Sequence, residues 1–202
     1  MPLVTLEVPI ELAPLPADVS AFLNEADQRI ERFAQQARVH AFIPSDYVLV
    51  YDALRSLAAR SVAPGNAFCE WGCGMGVVAC LAAMAGYEVC GIEINQELVE
   101  EARALADDFH VPVEIVCGNM IPPGGDRHAD NASLEMAWLE MGGPDAYDEL
   151  GLDIDDFDLV FAYPWPGEEQ VIYDLFEHYA ATGAVLATYH GIEGVRLQRK
   201  VN

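Results

Sequence analysis

A chain of 202 residues, 52% of them hydrophobic, is long enough to bury a sizeable core and excludes an intrinsically disordered protein. With 33 acidic and 10 basic side chains the formal charge is −23, which repels a phosphate backbone and argues against a sequence-independent grip on nucleic acid. No apolar run approaches the ~18 residues of a membrane span, and Met1 to Glu7 has neither the basic segment nor the apolar core of a secretory leader. A single cytoplasmic domain is therefore expected over 1–202, with an N-terminal arm and helices over 1–62 and an α/β core over 63–202.

Taken in chain order, residues 1–16 hold four prolines (Pro2, Pro9, Pro14, Pro16) and predict an extended or irregular arm. Ala17 to Val39 reads as a helix, because Phe22, Leu23, Ala26, Ile30 and Phe33 recur at helical spacing between charged residues. Pro44-Ser45-Asp46 interrupts the chain and offers Ser45 or Asp46 as N-cap for a second helix over Tyr47 to Arg60. These helices pack on the sheet, or cover a ligand with Tyr47 on the pocket wall.

Ala67 to Asn95 is the most informative stretch. A short apolar run ends on Glu70, and three glycines follow at alternating positions, Gly72, Gly74 and Gly76. Val77 to Ala85 has the length and alanine content of a helix, and Tyr87 to Ile94 is a second strand with Glu93 near its end. Strand, glycine turn, helix, strand is the first half of a doubly wound nucleotide-binding sheet. Glycine at a strand's carboxyl end lets backbone approach a ligand, and an acid ending the second strand is placed to accept from ribose hydroxyls. The dinucleotide fingerprint needs glycine at position 77, where Val77 stands, so a nicotinamide enzyme is disfavoured.

The pattern Glu70-x-Gly72-x-Gly74-x-Gly76 resembles motif I of the class I S-adenosylmethionine (SAM) methyltransferases. That resemblance implies an α/β fold with a mostly parallel, doubly wound sheet, and SAM as cofactor. It implies a cofactor site built from Glu70, Gly72, Cys73, Gly74, Gly76, Glu93 and Ile94. Glu70 suits a ligand bearing a sulfonium and an α-amino group, and Glu93 matches the ribose-binding acid. Ile43-Pro44-Ser45, the following helix and Gly91-Ile92-Glu93-Ile94-Asn95 are also similar to the small lysine methyltransferases of the seven-strand group.

Gln96 to Phe109 is a strong helix and Val113 to Val116 a third strand, followed by Cys117-Gly118-Asn119-Met120. By the same resemblance, Asn119 takes the place of the residue that bonds the adenine amino group, with Met120 beside it. Ile121 to Gly125 is a loop, Ser133 to Met141 a short helix, and the acid-rich Asp145 to Asp156 a solvated face. Phe157 to Ala162 is the fourth strand, running into Tyr163-Pro164-Trp165-Pro166. The resemblance puts motif IV here, beside the transferable methyl. The resemblance counts Ala162 with the cofactor site; members that methylate adenine or glutamine carry Asn or Asp at this place, which argues against those acceptors. Tyr163 and Trp165 are left as the walls of an acceptor pocket, and Glu168 or Glu169 as a candidate base or a helix N-terminal acid.

Val171 to Ala181 reads as a helix, Gly183 to Tyr189 as a fifth strand and Val195 to Val201 as a last one. The class I fold normally closes with an antiparallel hairpin of its sixth and seventh strands. Here either the sheet is trimmed or these last two runs pair across the His190 to Gly194 turn. The cysteines Cys69, Cys73, Cys80, Cys90 and Cys117 lack zinc-like spacing and read as buried reduced thiols, so no metal site is expected. The functional expectation is methyl transfer to a small-molecule or protein acceptor; a non-catalytic SAM- or nucleotide-binding module is the alternative.

Overall fold

The strand-like runs assemble into one seven-stranded sheet in the computed structural model, which describes residues 2–36, 43–125 and 142–202. The strands are β1 (Leu3–Thr5), β2 (Ala67–Trp71), β3 (Glu88–Glu93), β4 (Val113–Cys117), β5 (Leu159–Ala162), β6 (Val185–Tyr189) and β7 (Val195–Lys200). Their spatial order is β1-β7-β6-β5-β2-β3-β4. β2 to β6 pair in parallel; β7 runs antiparallel to both β6 and β1. The last two strands do pair across the turn, with Tyr189 opposite Val195. The sheet is not trimmed, because the N-terminal arm supplies its edge: Leu3 lies opposite Lys200 and Thr5 opposite Gln198. No periodicity announces a three-residue strand among prolines, and only its partner, β7, makes it one.

Both faces of the sheet are covered, which explains why its strands read as nearly continuous apolar runs. Side chains alternate between the faces. Phe68, Leu159, Phe161, Val185 and Ala187 point to one core, with α1 (Ala17–Gln36), α2 (Tyr47–Ala59), α3 (Val77–Met84) and α4 (Gln96–Asp108). Cys69, Trp71, Val160, Ala162 and Leu186 point to the other, with α5 (Ala146–Leu150) and α6 (Glu169–Tyr179). Asp46 is the N-cap of α2, its carboxylate accepting from Leu49 N at 3.1 Å. α1 is followed through Gln36; the Ala37 to Val39 end of the expected helix lies outside the described residues, as does the short helix expected over Ser133 to Met141. Within the acid-rich segment all six acids are exposed, while Ala146, Tyr147 and Ile154 turn inward. Asp145 caps α5 through bonds to Tyr147 N and Asp148 N. No described helix is long and apolar enough to cross a membrane.

The end of α6 is closed from the sheet. Lys200 is buried, and its Nζ donates to Ala180 O and, at 3.3 Å, to His178 O, placing a cation at the negative end of the helix. Lys200→Met removes both donors while keeping most of the volume. It is expected to cost about 1–3 kcal/mol, read as a shift of the urea midpoint without a change of slope.

Candidate active site

The chain order reverses at β2: β3 leads away on one side and β5 lies on the other, so a crevice opens beyond the carboxyl ends of these strands. Register levels those ends, with Glu70 opposite Gly91 and Trp71 opposite both Ile92 and Ala162. A cleft of about 510 Å³ lies there. It brings together Glu70, Gly72, Cys73 and Gly74 from the glycine turn, Glu93 and Ile94 from β3, and Asn119 and Met120 after β4. Ala162, Tyr163 and Trp165 form its far wall, and Tyr47 at the start of α2 lines it as well.

Gly76 stands apart from that lining. It is the N-cap of α3 in the left-handed conformation, with φ +67°, and a Cβ built on it would meet Ala102 Cβ at 2.9 Å. Its missing side chain lets α3 approach α4.

The two acids of the turn differ in their surroundings. Glu93 is buried and pinned by two backbone donors, Gly74 N to Oε2 at 2.9 Å and Asn95 N to Oε1 at 2.8 Å. Each oxygen has a second lone pair, so the carboxylate can still accept from a ligand. Cys73 N also reaches Ile92 O at 2.9 Å, so the turn is laced to β3 at two points. Glu70 accepts from Ala79 N at 2.7 Å, inside the first turn of α3. Burial pushes its pKa well above the usual carboxylate range; the Ala79 N–H opposes the rise and Glu93 adds to it. A raised folded pKa means that Glu70 contributes stability below the ordinary carboxylate pKa. That contribution is lost as pH rises through the folded value.

Burial also raises the Cys73 thiol well above its ordinary range, so it stays protonated and is no nucleophile. Asn119 holds the loop that follows β4. Its Oδ1 accepts from Ile121 N at 2.9 Å and its Nδ2 donates to Gly142 O at 3.4 Å. Ala162 is buried and brings no proton acceptor to the end of β5. Past it, Tyr163 meets Tyr189 edge-on at 4.9 Å, and Glu168 accepts from Trp165 N at 3.1 Å.

The profile of a family described as "Methyltransferase domain" matches residues 69–140, from the middle of β2 to beyond the end of β4. A methyltransferase from Geobacter sulfurreducens shares the fold at TM-score 0.56 and 16% identity, covering 94% of this chain and 93% of that one. Over residues 69–140 the chain is thus similar to a methyltransferase domain, and it shares the fold of solved methyltransferases. An RNA methyltransferase from Salinibacter ruber, solved with S-adenosylhomocysteine, aligns with this domain at TM-score 0.52 and 20% identity over 78% of this chain and 92% of that one. At these identities the likeness is one of fold. Among curated sequences, 24-methylenesterol C-methyltransferase 2 of Oryza sativa subsp. japonica is 32% identical over 64% of this chain and 35% of its own length. A 64-residue stretch is 38% identical to phosphoglycerate kinase of Drosophila melanogaster, 13% of that protein. The chain thus spans about a third or less of the curated relatives it matches.

Three contributions to the cleft escape sequence reasoning. Trp71, read as a spacer inside motif I, forms part of the floor. Leu98, on the first turn of α4, lines the cleft as well. Asn95 contributes by its backbone N–H and by capping α4, with Oδ1 accepting from Glu97 N at 2.9 Å. The asparagine directly before a helical pattern is a cap signal, and it was the one legible cue.

Proposed function

We propose that this chain binds SAM in the cleft and transfers its methyl group to a small-molecule or protein side-chain acceptor. The observation that carries this reading is Glu93, buried at the end of β3, held by Gly74 N and Asn95 N and lining the cleft. A carboxylate so held is preorganised for two neighbouring sugar hydroxyls. Glu70 and the thin glycine turn suit the cationic amino-acid end, and Ile94, Leu98 and Met120 offer apolar contact to adenine beside Asn119. The S-adenosylhomocysteine in the Salinibacter ruber structure of like fold supports the same ligand here.

SAM supplies an already activated methyl, so the protein's work is alignment and exclusion of water. Orientation of that kind contributes on the order of 7–11 kcal/mol. Tyr47 and the Tyr163-Pro164-Trp165 wall close two sides of the cleft. Ala162 leaves no side-chain proton acceptor on the strand itself, and this favours the second reading, a SAM-binding module without catalysis. Calorimetry with SAM and S-adenosylhomocysteine tests the premise, with one-to-one binding of both expected and binding of neither overturning it. Transfer of a labelled methyl to an extract separates enzyme from module.

The charge state of Glu70 gives a further check. A cation placed beside it favours its carboxylate, so SAM binding at a pH below the raised folded pKa of Glu70 is expected to release a proton. Binding heats measured in two buffers of different ionisation enthalpy should therefore differ, and Glu70→Gln should abolish the difference. Equal heats in the wild type would mean that Glu70 does not change charge.

A further inference from the structure

The cleft has an electrostatic bias that the cofactor does not account for. Among the described residues that line it are three carboxylates, Glu70, Glu93 and Glu168, and no lysine, arginine or histidine. Glu70 and Glu93 belong to the glycine turn. Glu168 stands across the cleft, past the end of β5, only 4% exposed and oriented by Trp165 N at 3.1 Å. Just before it in sequence, Tyr163 and Trp165 line the same cleft, the former braced edge-on by Tyr189.

Resting on the methyl-transfer reading above, we propose that the acceptor is an aliphatic amine, held as its ammonium by Glu168 between Tyr163 and Trp165. A carboxylate and aromatic faces attract the same charge, the first by an ion-paired hydrogen bond and the second through the ring quadrupole. An acceptor bearing a phosphate or carboxylate meets the Glu168 carboxylate, with no lysine, arginine or histidine among the described lining residues to offset it. A neutral hydroxyl gains neither attraction. The protein's charge of −23 adds long-range steering in the same sense.

The chemistry balances with one proton. The ammonium gives a proton to the Glu168 carboxylate, which exposes the nitrogen lone pair. That pair forms the new N–C bond with the methyl carbon as the C–S bond breaks, its electrons remaining on sulfur. The products are a methylated ammonium and S-adenosylhomocysteine, and Glu168 returns its proton to solvent. Ala162 is then no defect, because the proton acceptor sits six residues later, at the start of α6.

The test uses the full chain saturated with S-adenosylhomocysteine and three probes of one shape: 2-phenylethylamine, 2-phenylethanol and 3-phenylpropanoate. Calorimetry is expected to show the amine binding at least about 10-fold more tightly than the other two. Glu168→Gln keeps an acceptor for Trp165 N, so the fold should persist, checked by the thermal midpoint. It should bring the amine down to the level of the alcohol while leaving S-adenosylhomocysteine affinity within about 2-fold. Trp165→Leu, which leaves the carboxylate in place, should lower the amine preference about 3-fold. Alcohol or carboxylate binding as tight as the amine, binding of none of the three, or an unchanged Glu168→Gln variant overturns the amine assignment. If S-adenosylhomocysteine itself fails to bind, it is the cofactor reading that falls instead.

Discussion

Replacing Glu93 by alanine is expected to lower the affinity for S-adenosylhomocysteine by roughly 10- to 150-fold, the equivalent of about 1.5–3 kcal/mol for hydrogen bonds to a charged group. The loss has two sources. One is the direct acceptor for the sugar hydroxyls. The other is the brace on the turn, since Gly74 N and Asn95 N both donate to this carboxylate and both lose their acceptor. The brace matters because the turn that approaches the ligand is otherwise tied to β3 through Cys73 N and Ile92 O. Glu93→Gln separates the two sources: its amide oxygen retains one acceptor while the negative charge is gone. Calorimetric titration of all three proteins checks the order wild type, glutamine, alanine. An alanine variant that folds and binds as tightly as the wild type would remove the observation on which the cofactor assignment rests.

The largest effect on stability is expected at Gly76→Ala. The substitution places a Cβ in the left-handed region, which costs about 1–2 kcal/mol. It also drives that atom to 2.9 Å from Ala102 Cβ, with Ala102 Cα at 3.6 Å and Ile115 Cδ1 at 3.7 Å behind it. Overpacking of this kind adds about 1–3 kcal/mol. At about 2–4 °C per kcal/mol for a chain of this size, the melting temperature should fall by roughly 4–20 °C. Gly72→Ala is the matched control. Its φ is +68°, but nothing lies within 4 Å of the added Cβ, so only the backbone term remains. If the two variants melt together, Gly76 does not serve the close approach of α3 to α4.

The contrast between these glycines shows what the sequence could and could not convey. Alternating glycines between two strands announce a turn at a sheet's carboxyl end, and the structure has that turn with φ positive at all three positions. They do not announce which glycine faces a ligand and which faces a helix, because Ala102 lies 26 residues away and belongs to another element. The longer helices and the parallel strands were legible for a local reason: each has its own period and its own stop signals, whereas the short α5 lay hidden in the acid-rich run. The edge strand was not, since Leu3 to Thr5 is a strand only by virtue of residues almost the whole chain away. Likewise Glu168 reads equally as a helix N-terminal acid or as a base. Only the fold adds that it is buried beside Trp165 and lines the same cleft as Glu93.

That distant pairing has a consequence for how the molecule comes to be made. Leu3 leaves the ribosome first among the strand residues, yet its hydrogen-bonding ladder waits for Val195 to Lys200. Closing so long a loop is entropically slow. Of these seven strands β1 can dock only after β7 is made, and until it does β7 presents a bare edge open to a neighbouring nascent chain.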